Sequence, residues 1–378
     1  MDPRPGCSLA DHFGGLDDPR VDRAKRHVLL DIVTIAVCAV VCGADSWVEV
    51  EAFGKAKRGW LSTFLDLPHG TPSHDTIGRV FTTPDPEQFR AGFLGWARAV
   101  AGATAGRAVA IDGKTLRRSH DRANGKAALH LVSAWAGSAR LVLGQVAVDG
   151  KSNEITAIPA LLDLLLLKGC IVTIDAMGCQ TAIAARIVAQ EADYVLAVKD
   201  NQPTLHREVR ELFAHARATG FAGLAHDHHR TVEKDHGRLE IRRCWTISEP
   251  EHLAYLNQGG AWPNLRSIGM VDGARRSGGT TTRETRYFIS SLTGDAAAFG
   301  AAVRGHWGIE NGLHWVLDVA FREDECRVRA GHSAQNFAVL RHLALNLLQR
   351  EPTAKVGVKA KRLKAGWDDA YLLQVLAG

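Results

Sequence analysis

The chain has 378 residues, of which 46% are hydrophobic and 23% are charged, and its formal net charge at pH 7 is +5. This is the composition of a soluble globular protein of about two to three domains, and the mild basic excess permits a polyanionic partner without requiring one. Seven scattered cysteines with no CxxC motif argue against a disulfide framework and favour a reduced, cytoplasmic protein. The longest apolar run near the N-terminus, 32–42, is too short to span a bilayer, so no membrane partner is expected.

Residues 1–102 are predicted to form a mostly helical N-terminal domain. The expected elements are a loose arm over 1–22 and helices over 23–42, 46–58, 59–65, 73–80 and 85–100. Ser73 or Asp75 is placed to cap the helix that begins there. The basic residues of these helices could contact DNA phosphates, although a solvated surface explains any single one equally well. We expect this domain to bind DNA.

A different pattern follows the small-residue linker at 102–106. Apolar or alternating runs predict strands over 108–112, 128–135, 141–148, 170–175 and 194–199, and helices over 154–167, 180–191 and 203–216. Short loops suit antiparallel pairing of the first three strands, whereas helical crossovers lead to the last two. This order predicts an α/β protein with a ribonuclease-H-like, five-stranded mixed sheet, and residues 103–219 form the first part of its catalytic core.

The first and fourth of these strands both end on an aspartate. Asp112 follows the apolar run 108–111, and Asp175 follows the run 170–174. A buried strand does not accommodate a charge unless something pairs with it or binds it. Because the two strands are expected to lie side by side and parallel, their aspartates should end close together. For an isolated aspartate a strand-end cap is the simpler interpretation, so the argument depends on the pair.

The remaining residues complete the core around an insertion. Residues 220–292 show near-alternation of polar and apolar side chains and contain a Gly-Gly hairpin turn, which predicts a β-rich insertion. The second part of the core, 293–350, should contain a long helix over 295–317 and an amphipathic helix over 332–349. Residues 351–378 are predicted to be a basic C-terminal tail with a short last helix.

The long helix supplies a third acid. His306, Glu310 and His314 are four residues apart and therefore share one helix face. Packed against the sheet, this face would bring Glu310 to the two aspartates, and three converging carboxylates require cations to offset their repulsion. Two Mg²⁺ ions, or Mn²⁺, about 3.5–4 Å apart would suit such a site and support phosphoryl transfer on nucleic acid. A zinc site of the two histidines with Glu310 is the alternative, but it leaves both aspartates unexplained.

Seven motifs occur in order along the chain. They are AIDGKTLRRS around Asp112, KSNEI at 151–155, TIDAMGCQ around Asp175, VKDNQ at 198–202, EKDHGRLEIR at 233–242, YFISSL at 287–292 and RGHWGIENGLHWVLDVAFREDECR at 304–327. With them the chain resembles the DDE transposases of bacterial insertion sequences, and in particular the H-repeat-associated group. The N-terminal region, including PSHDTIGRVF at 72–81, is similar to the helical domain that accompanies this group.

The resemblance implies a DNA transposase that cleaves at insertion-sequence ends and transfers the 3′-OH strand into target DNA. Matched position by position, Asp112, Asp175 and Glu310 would be its catalytic, metal-binding triad. The implied partner is double-stranded DNA, as element ends and as target, held by a homodimer at the nucleoid. Two alternatives remain: a transposase-derived DNA-binding protein without strand transfer, and a nuclease that hydrolyses DNA without joining it.

One departure from the family pattern concerns the Tyr–Arg–Glu–Lys signature that related transposases carry around the glutamate. The places of its arginine and lysine hold His306 and Leu317 in this chain. Other residues are therefore expected to share the DNA contacts. The full expected set is Lys114, Arg117, Lys199, Arg238, Arg304, His306 and His314. Trp307 and Trp315 are expected to belong to the core.

Overall fold

The protein is seen in a computed structural model, which describes residues 8–18, 20–22, 25–83, 85–101, 107–121, 124–148, 153–235 and 237–377. The linker predicted at 102–106 lies outside the described residues, as do Lys151 and Ser152 of the KSNEI motif.

The N-terminal region is helical, but its first helix lies within residues 1–22, where a loose arm was predicted. Its helices are α1 (Leu9–Phe13), α2 (Leu29–Val41), α3 (Trp47–Ala56), α4 (Arg58–Leu61), α5 (His74–Thr82) and α6 (Pro86–Ala101). The side chain of Ser73 accepts a hydrogen bond from the Thr76 backbone N–H, so this serine is the N-cap of α5. Helix α2 is apolar and buried along most of its length, which makes it a core helix.

The next segment forms the five strands expected of a ribonuclease-H-like sheet. The strands are β1 (Ala108–Thr115), β2 (His130–Ala136), β3 (Leu141–Ala147), β4 (Ile171–Ile174) and β5 (Asp193–Val198), and the helices are α7 (Glu154–Asp163), α8 (Thr181–Ala189) and α9 (Pro203–Ala218). Their spatial order is β3-β2-β1-β4-β5. Strands β1, β4 and β5 are parallel, and β2 and β3 pair antiparallel, which confirms the predicted topology.

The β-rich insertion extends this sheet to nine strands. It contains β6 (His226–Asp235), β7 (Arg238–Ile247), α10 (Pro250–Leu256), β8 (Ser267–Ser277) and β9 (Thr280–Ser290). Strand β9 pairs antiparallel with β5, so the complete order is β3-β2-β1-β4-β5-β9-β8-β7-β6. The expected count of five strands is therefore too small, because the outer edge of β5 is not a free edge but carries the insertion.

The C-terminal segment 296–377 is helical. Its elements are α11 (Ala296–Ile309), a π-helical turn (Glu310–His314), α12 (Trp315–Phe321), α13 (Ser333–Arg350), α14 (Val358–Trp367) and α15 (Asp369–Ala377). Within the segment predicted to be a basic tail, the side chains of Lys361 and Arg362 are buried, and Arg362 donates hydrogen bonds to the carbonyl oxygen of Val40. Arg362 therefore holds α14 against α2, whereas Lys361 donates to the carbonyl oxygens of Leu348 and Glu351 and so holds α14 against the end of α13.

The two largest hydrophobic cores of the described residues hold most of the fold together. One lies between the sheet and helices α7, α8 and α9. The other joins the N-terminal helices to the π turn, α12, α13, α14 and α15, with α13 buried along most of its length. The buried Asn346 of α13 bonds both the N–H and the C=O of Val142, which ties this second core to strand β3. Among the helices of the described residues, none combines the length and the apolar character that a bilayer crossing requires.

Candidate active site

The two aspartates follow matched positions on neighbouring strands. The pairing between β1 and β4 ends at Ile111 and Ile174, and Asp112 and Asp175 are the next residues of each strand. Asp112 is not the last residue of β1, because β1 continues to Thr115 through its pairing with β2. The backbone N–H groups of residues 177 and 178 donate to Oδ1 of Asp175, at 3.1 and 3.4 Å, and so orient its carboxylate.

Glycines let helix α11 and the π turn lie close to the sheet. Gly305, Gly308 and Gly312 face the sheet, and the last two stand against the buried ring of Trp135 on β2. A Cβ at position 312 would lie only 2.9 Å from Cζ2 of Trp135, whereas one at position 308 would make an ordinary contact of 3.6 Å. The close packing at position 312 fixes the segment that carries Glu310.

The helix predicted over 295–317 contains an irregularity at the acid itself. Glu310–His314 is a π turn, and the N–H of Trp315 bonds the C=O of Glu310. Such turns insert one residue into an α-helix and are frequent at functional sites. The sequence gives no local sign of this turn, because its residues are compatible with an ordinary helix.

Asp112, Glu310 and His314 converge. Each offers one carboxylate oxygen or ring nitrogen, and these atoms all lie within 4.8 Å of one another. Nδ1 of His314 is 3.2 Å from Oε2 of Glu310 and 3.5 Å from Oδ2 of Asp112. Carboxylate oxygens and an imidazole nitrogen are ligands for divalent ions, so the donor set fits a metal site.

The electrostatics of the site also call for a cation. Burial raises the pKa of Asp112 to about 7, and the nearby charges of Asp175 and Glu154 add to the effect. Burial lowers the pKa of His314, which favours its neutral form. A site whose carboxylates repel one another in this way is stabilised by a bound divalent ion.

A fourth acid borders the site. Glu154, at the start of α7, pairs with His130 of β2, with 2.8 Å between Oε1 and Nε2. This pair occupies the space beside Gly113, where a Cβ would overlap both side chains. Glu154 belongs to the KSNEI motif, and this motif is the sequence signal that could have placed it at the site.

The two histidines of the helix are both turned inward. Nδ1 of His306 lies 3.1 Å from Oγ1 of Thr173 on β4, and burial lowers the pKa of His306. His314 is only 5% exposed. Neither ring is available at the surface as the predicted DNA contact requires, because both are packed between the helix and the sheet.

Lys114 is also held inside the protein. Its ammonium group pairs with Asp318, with Glu323 at 3.0 Å and with Asp324 at 4.0 Å. Because these carboxylates already surround the lysine, it is poorly placed to bind the DNA phosphate predicted from the sequence. Arg117 also reaches Asp324, at 3.2 Å, but its side chain is 81% exposed.

The other predicted DNA contacts remain at the surface. Lys199 is exposed just after β5, and Arg238 is partly exposed at the start of β7. Arg304 is half exposed and pairs with Glu233 at 2.5 Å. Trp307 and Trp315 were expected in the core, but 50% and 59% of their surfaces are exposed.

Two family models match the chain. The model described as "Transposase DDE domain" matches residues 103–347, and the one described as "DDE_Tnp_1-associated" matches residues 10–97. The chain belongs to the DDE transposase family. Membership implies the use of divalent metal ions, and Asp112, Glu310 and His314 offer this transposase a group of ligands for one.

Relatives of this DDE transposase match it along nearly its whole length. It is 39% identical over 374 residues to "H repeat-associated putative transposase YhhI" of Escherichia coli (strain K12), covering 98% of each chain. It is 41% identical over 374 residues to "Putative transposase YncI" of Escherichia coli O157:H7, covering 98% of this chain and 94% of the relative. Among solved structures, it is similar to a piggyBac transposase synaptic complex with hairpin DNA, with a TM-score of 0.43 and 10% identity, over 97% of this chain and 77% of that one. A likeness at this TM-score carries no functional inference.

Proposed function

We propose that this chain cleaves DNA at the ends of an insertion sequence and joins the freed 3′-OH to target DNA. The observation that carries the proposal is the convergence of acids at one end of the β1–β4 pair. Asp112 and Asp175 follow matched strand positions, and a carboxylate oxygen of Glu310 lies within 4.8 Å of one of Asp112. The matches to transposases over nearly the whole chain support the same function.

In the proposed site, Asp112, Asp175 and Glu310 hold two Mg²⁺ ions, for which Mn²⁺ can substitute. When bound, such a pair of ions would activate the attacking oxygen and stabilise the leaving one. The chain's own contribution is placement. Strand pairing fixes the two aspartates, and the contact between position 312 and Trp135 fixes the turn that carries the glutamate.

Two displacements at phosphorus make up the proposed reaction. First, water attacks the phosphodiester at the element end and loses a proton to solvent, the bond between phosphorus and the 3′ oxygen breaks, and the departing 3′ oxygen takes up a proton from solvent. This hydrolysis leaves a 3′-OH and a 5′-phosphate. That 3′-OH then attacks a target phosphodiester, so that one P–O bond forms, one breaks and a target 3′-OH is released.

The DNA surface in this proposal consists of exposed cations around the site. Arg117, Lys199, Arg238 and Arg304 keep the role predicted from the sequence, whereas Lys114, His306 and His314 are withdrawn because they face the interior. Phosphate contacts of this kind position a duplex without reading its sequence. In this proposal the chain consists of a DNA-binding domain (1–102), two parts of the catalytic core (103–219 and 293–350), an insertion (220–292) and a C-terminal segment (351–378). A homodimer would hold the two element ends.

Short inverted repeats beside the gene would supply the substrate for the test. Asp112→Asn, Asp175→Asn and Glu310→Gln should each lower Mg²⁺-dependent cleavage of these ends by about 100-fold or more, which corresponds to about 2.7 kcal/mol of transition-state stabilisation. Their affinity for DNA should change little, because the phosphate contacts lie elsewhere. Asp163→Asn is the matched control, since this exposed acid of α7 pairs with the surface residue Arg186.

The products separate the proposal from its alternatives. Joined element and target strands support a transposase, whereas cleavage without joining would indicate a nuclease. DNA binding without Mg²⁺-dependent cleavage would indicate a transposase-derived DNA-binding protein. Full cleavage by any one of the three triad variants would refute the proposed triad.

A further inference from the structure

One histidine stands inside the group of acids. The donor atoms that converge are those of Asp112, Glu310 and His314. This set differs from the proposed triad because it contains the imidazole of His314 and not the carboxylate of Asp175. The histidine lies on the π turn, one residue after Leu313, whose side chain is fully buried and anchors that side of the turn. The ring is therefore held in place by the fold rather than swinging freely at the surface.

The distances around the ring fit shared coordination of one ion. An octahedral ion binds its ligands at about 2.1 Å, so neighbouring ligands at right angles are about 3.0 Å apart. Nδ1 of His314 is 3.2 Å from Oε2 of Glu310 and 3.5 Å from Oδ2 of Asp112. Small movements of the carboxylates would bring all three atoms to ligand distance.

The rest of the ring is consistent with a ligand role and not with a DNA contact. His314 is 5% exposed, so it cannot reach a duplex on the surface. The only polar groups facing Nδ1 among the described contacts are the two carboxylates.

We propose that Nδ1 of His314 is a direct ligand of the divalent ion held by Asp112 and Glu310. The inference rests on the proposed function, because it concerns the ion of the same site. The ion would then be bound by two carboxylates and an imidazole, with Asp175 left to contribute to the second ion. The simpler alternative is a positioning residue, whose N–H only bonds Glu310, and the experiment distinguishes the two.

Mn²⁺ is the probe for the first experiment. The full-length protein is loaded with less than one equivalent of Mn²⁺ and examined by pulsed electron paramagnetic resonance, which detects a nitrogen nucleus bonded to the ion. The expected spectrum contains a ¹⁴N coupling that changes to a ¹⁵N coupling when the protein is made with ¹⁵N-histidine. His314→Gln should remove the coupling. The matched control His306→Gln should retain it, because that ring, about two turns earlier in the same helical segment, bonds Thr173 instead.

A second experiment compares two metals. Imidazole strengthens the binding of Co²⁺ more than that of Mg²⁺, which prefers oxygen ligands. His314→Gln should therefore weaken Co²⁺ binding by about 10-fold or more, the scale expected for losing a group that supports a metal site. Mg²⁺ binding should weaken much less, by about 3-fold at most. Equal losses for both metals would indicate a positioning role and overturn the inference.

The outcomes for the two proposals are distinct. Mn²⁺ bound without any nitrogen coupling overturns the histidine ligand and leaves the metal-dependent function standing. Absence of Mn²⁺ binding to the wild-type protein overturns both. If His314→Gln does not fold, the spectra of the wild-type protein and of His306→Gln still test the inference. A nitrogen coupling that is present in both proteins supports His314 as the ligand, and a coupling that is lost in His306→Gln overturns it.

Discussion

Two glycines of one helical segment offer a sharp test of how Glu310, the glutamate of the proposed triad, is positioned. Gly308 and Gly312 both face Trp135, but a Cβ would lie 3.6 Å from that ring at the first position and 2.9 Å from it at the second. Trp135 is only 2% exposed, so its ring cannot move aside into solvent. Gly308→Ala should therefore be accommodated, whereas Gly312→Ala should push the helix away from the sheet.

The magnitude follows from two opposing effects. Alanine stabilises a helix relative to glycine by up to about 1 kcal/mol, and both variants receive this gain. Overpacking a buried site costs about 1–3 kcal/mol, and only Gly312→Ala incurs it. The difference between the two variants thus isolates the collision. We expect Gly312→Ala to be less stable than Gly308→Ala by about 1–3 kcal/mol, a factor of about 5 to 150 in the folding equilibrium.

Urea unfolding of the two variants measures this difference directly, provided that the slopes of the transitions agree. DNA cleavage provides a second readout, since Glu310 is two residues from Gly312 and a displacement of about 1 Å can cost about 100-fold in rate. Equal unfolding midpoints and equal cleavage rates for Gly308→Ala and Gly312→Ala would refute the idea that close packing against Trp135 fixes the glutamate.

Two further predictions concern buried charges. Lys114→Met should lower the free energy of unfolding by about 3 kcal/mol, because it removes a partner 3.0 Å from the fully buried Glu323. Lys168→Met, which breaks the surface pair with Glu191, should lower it by at most about 1 kcal/mol. Similar unfolding midpoints for both variants would contradict this prediction. Burial lowers the pKa of His342 from 6.5 to about 4, so the unfolded chain binds this proton more readily than the folded one. The stability linked to His342 is therefore complete above pH 6.5 and is lost as the pH falls towards 4, and His342→Gln should remove about 3 kcal/mol of that pH dependence in unfolding experiments. An unchanged dependence on pH in the variant would show that other groups are responsible.

The arrangement of the first five strands was predictable because it follows from local patterns. Each strand is a short apolar or alternating run, and the lengths of the connections decide between hairpin and crossover. The same logic places Asp112 and Asp175 on neighbouring strands. Local patterns do not predict the pairing of β5 with β9, because it joins segments far apart in the sequence and depends on which edge of the five-stranded sheet is left uncovered.

The details of the site were less predictable because they depend on packing. The π turn at Glu310–His314 has no sequence signature, yet it sets where the acid and the histidine point. Trp307 and Trp315 look like core residues by type, but only the rotation of the helix on the sheet decides that they are exposed. Lys114 follows an active-site acid as a DNA contact would, but carboxylates more than two hundred residues later in the chain surround it.

The two edge strands of the sheet, β3 and β6, are protected from pairing with other strands in different ways. On β3, Asn346 occupies both backbone groups of Val142, and on β6 the exposed side chains include Asp227, Arg230 and Lys234. Charged side chains on an edge strand discourage strand addition from another molecule. If two copies of this protein assemble on DNA as proposed, they should associate through helices or through the nucleic acid itself, without building a continuous intermolecular sheet.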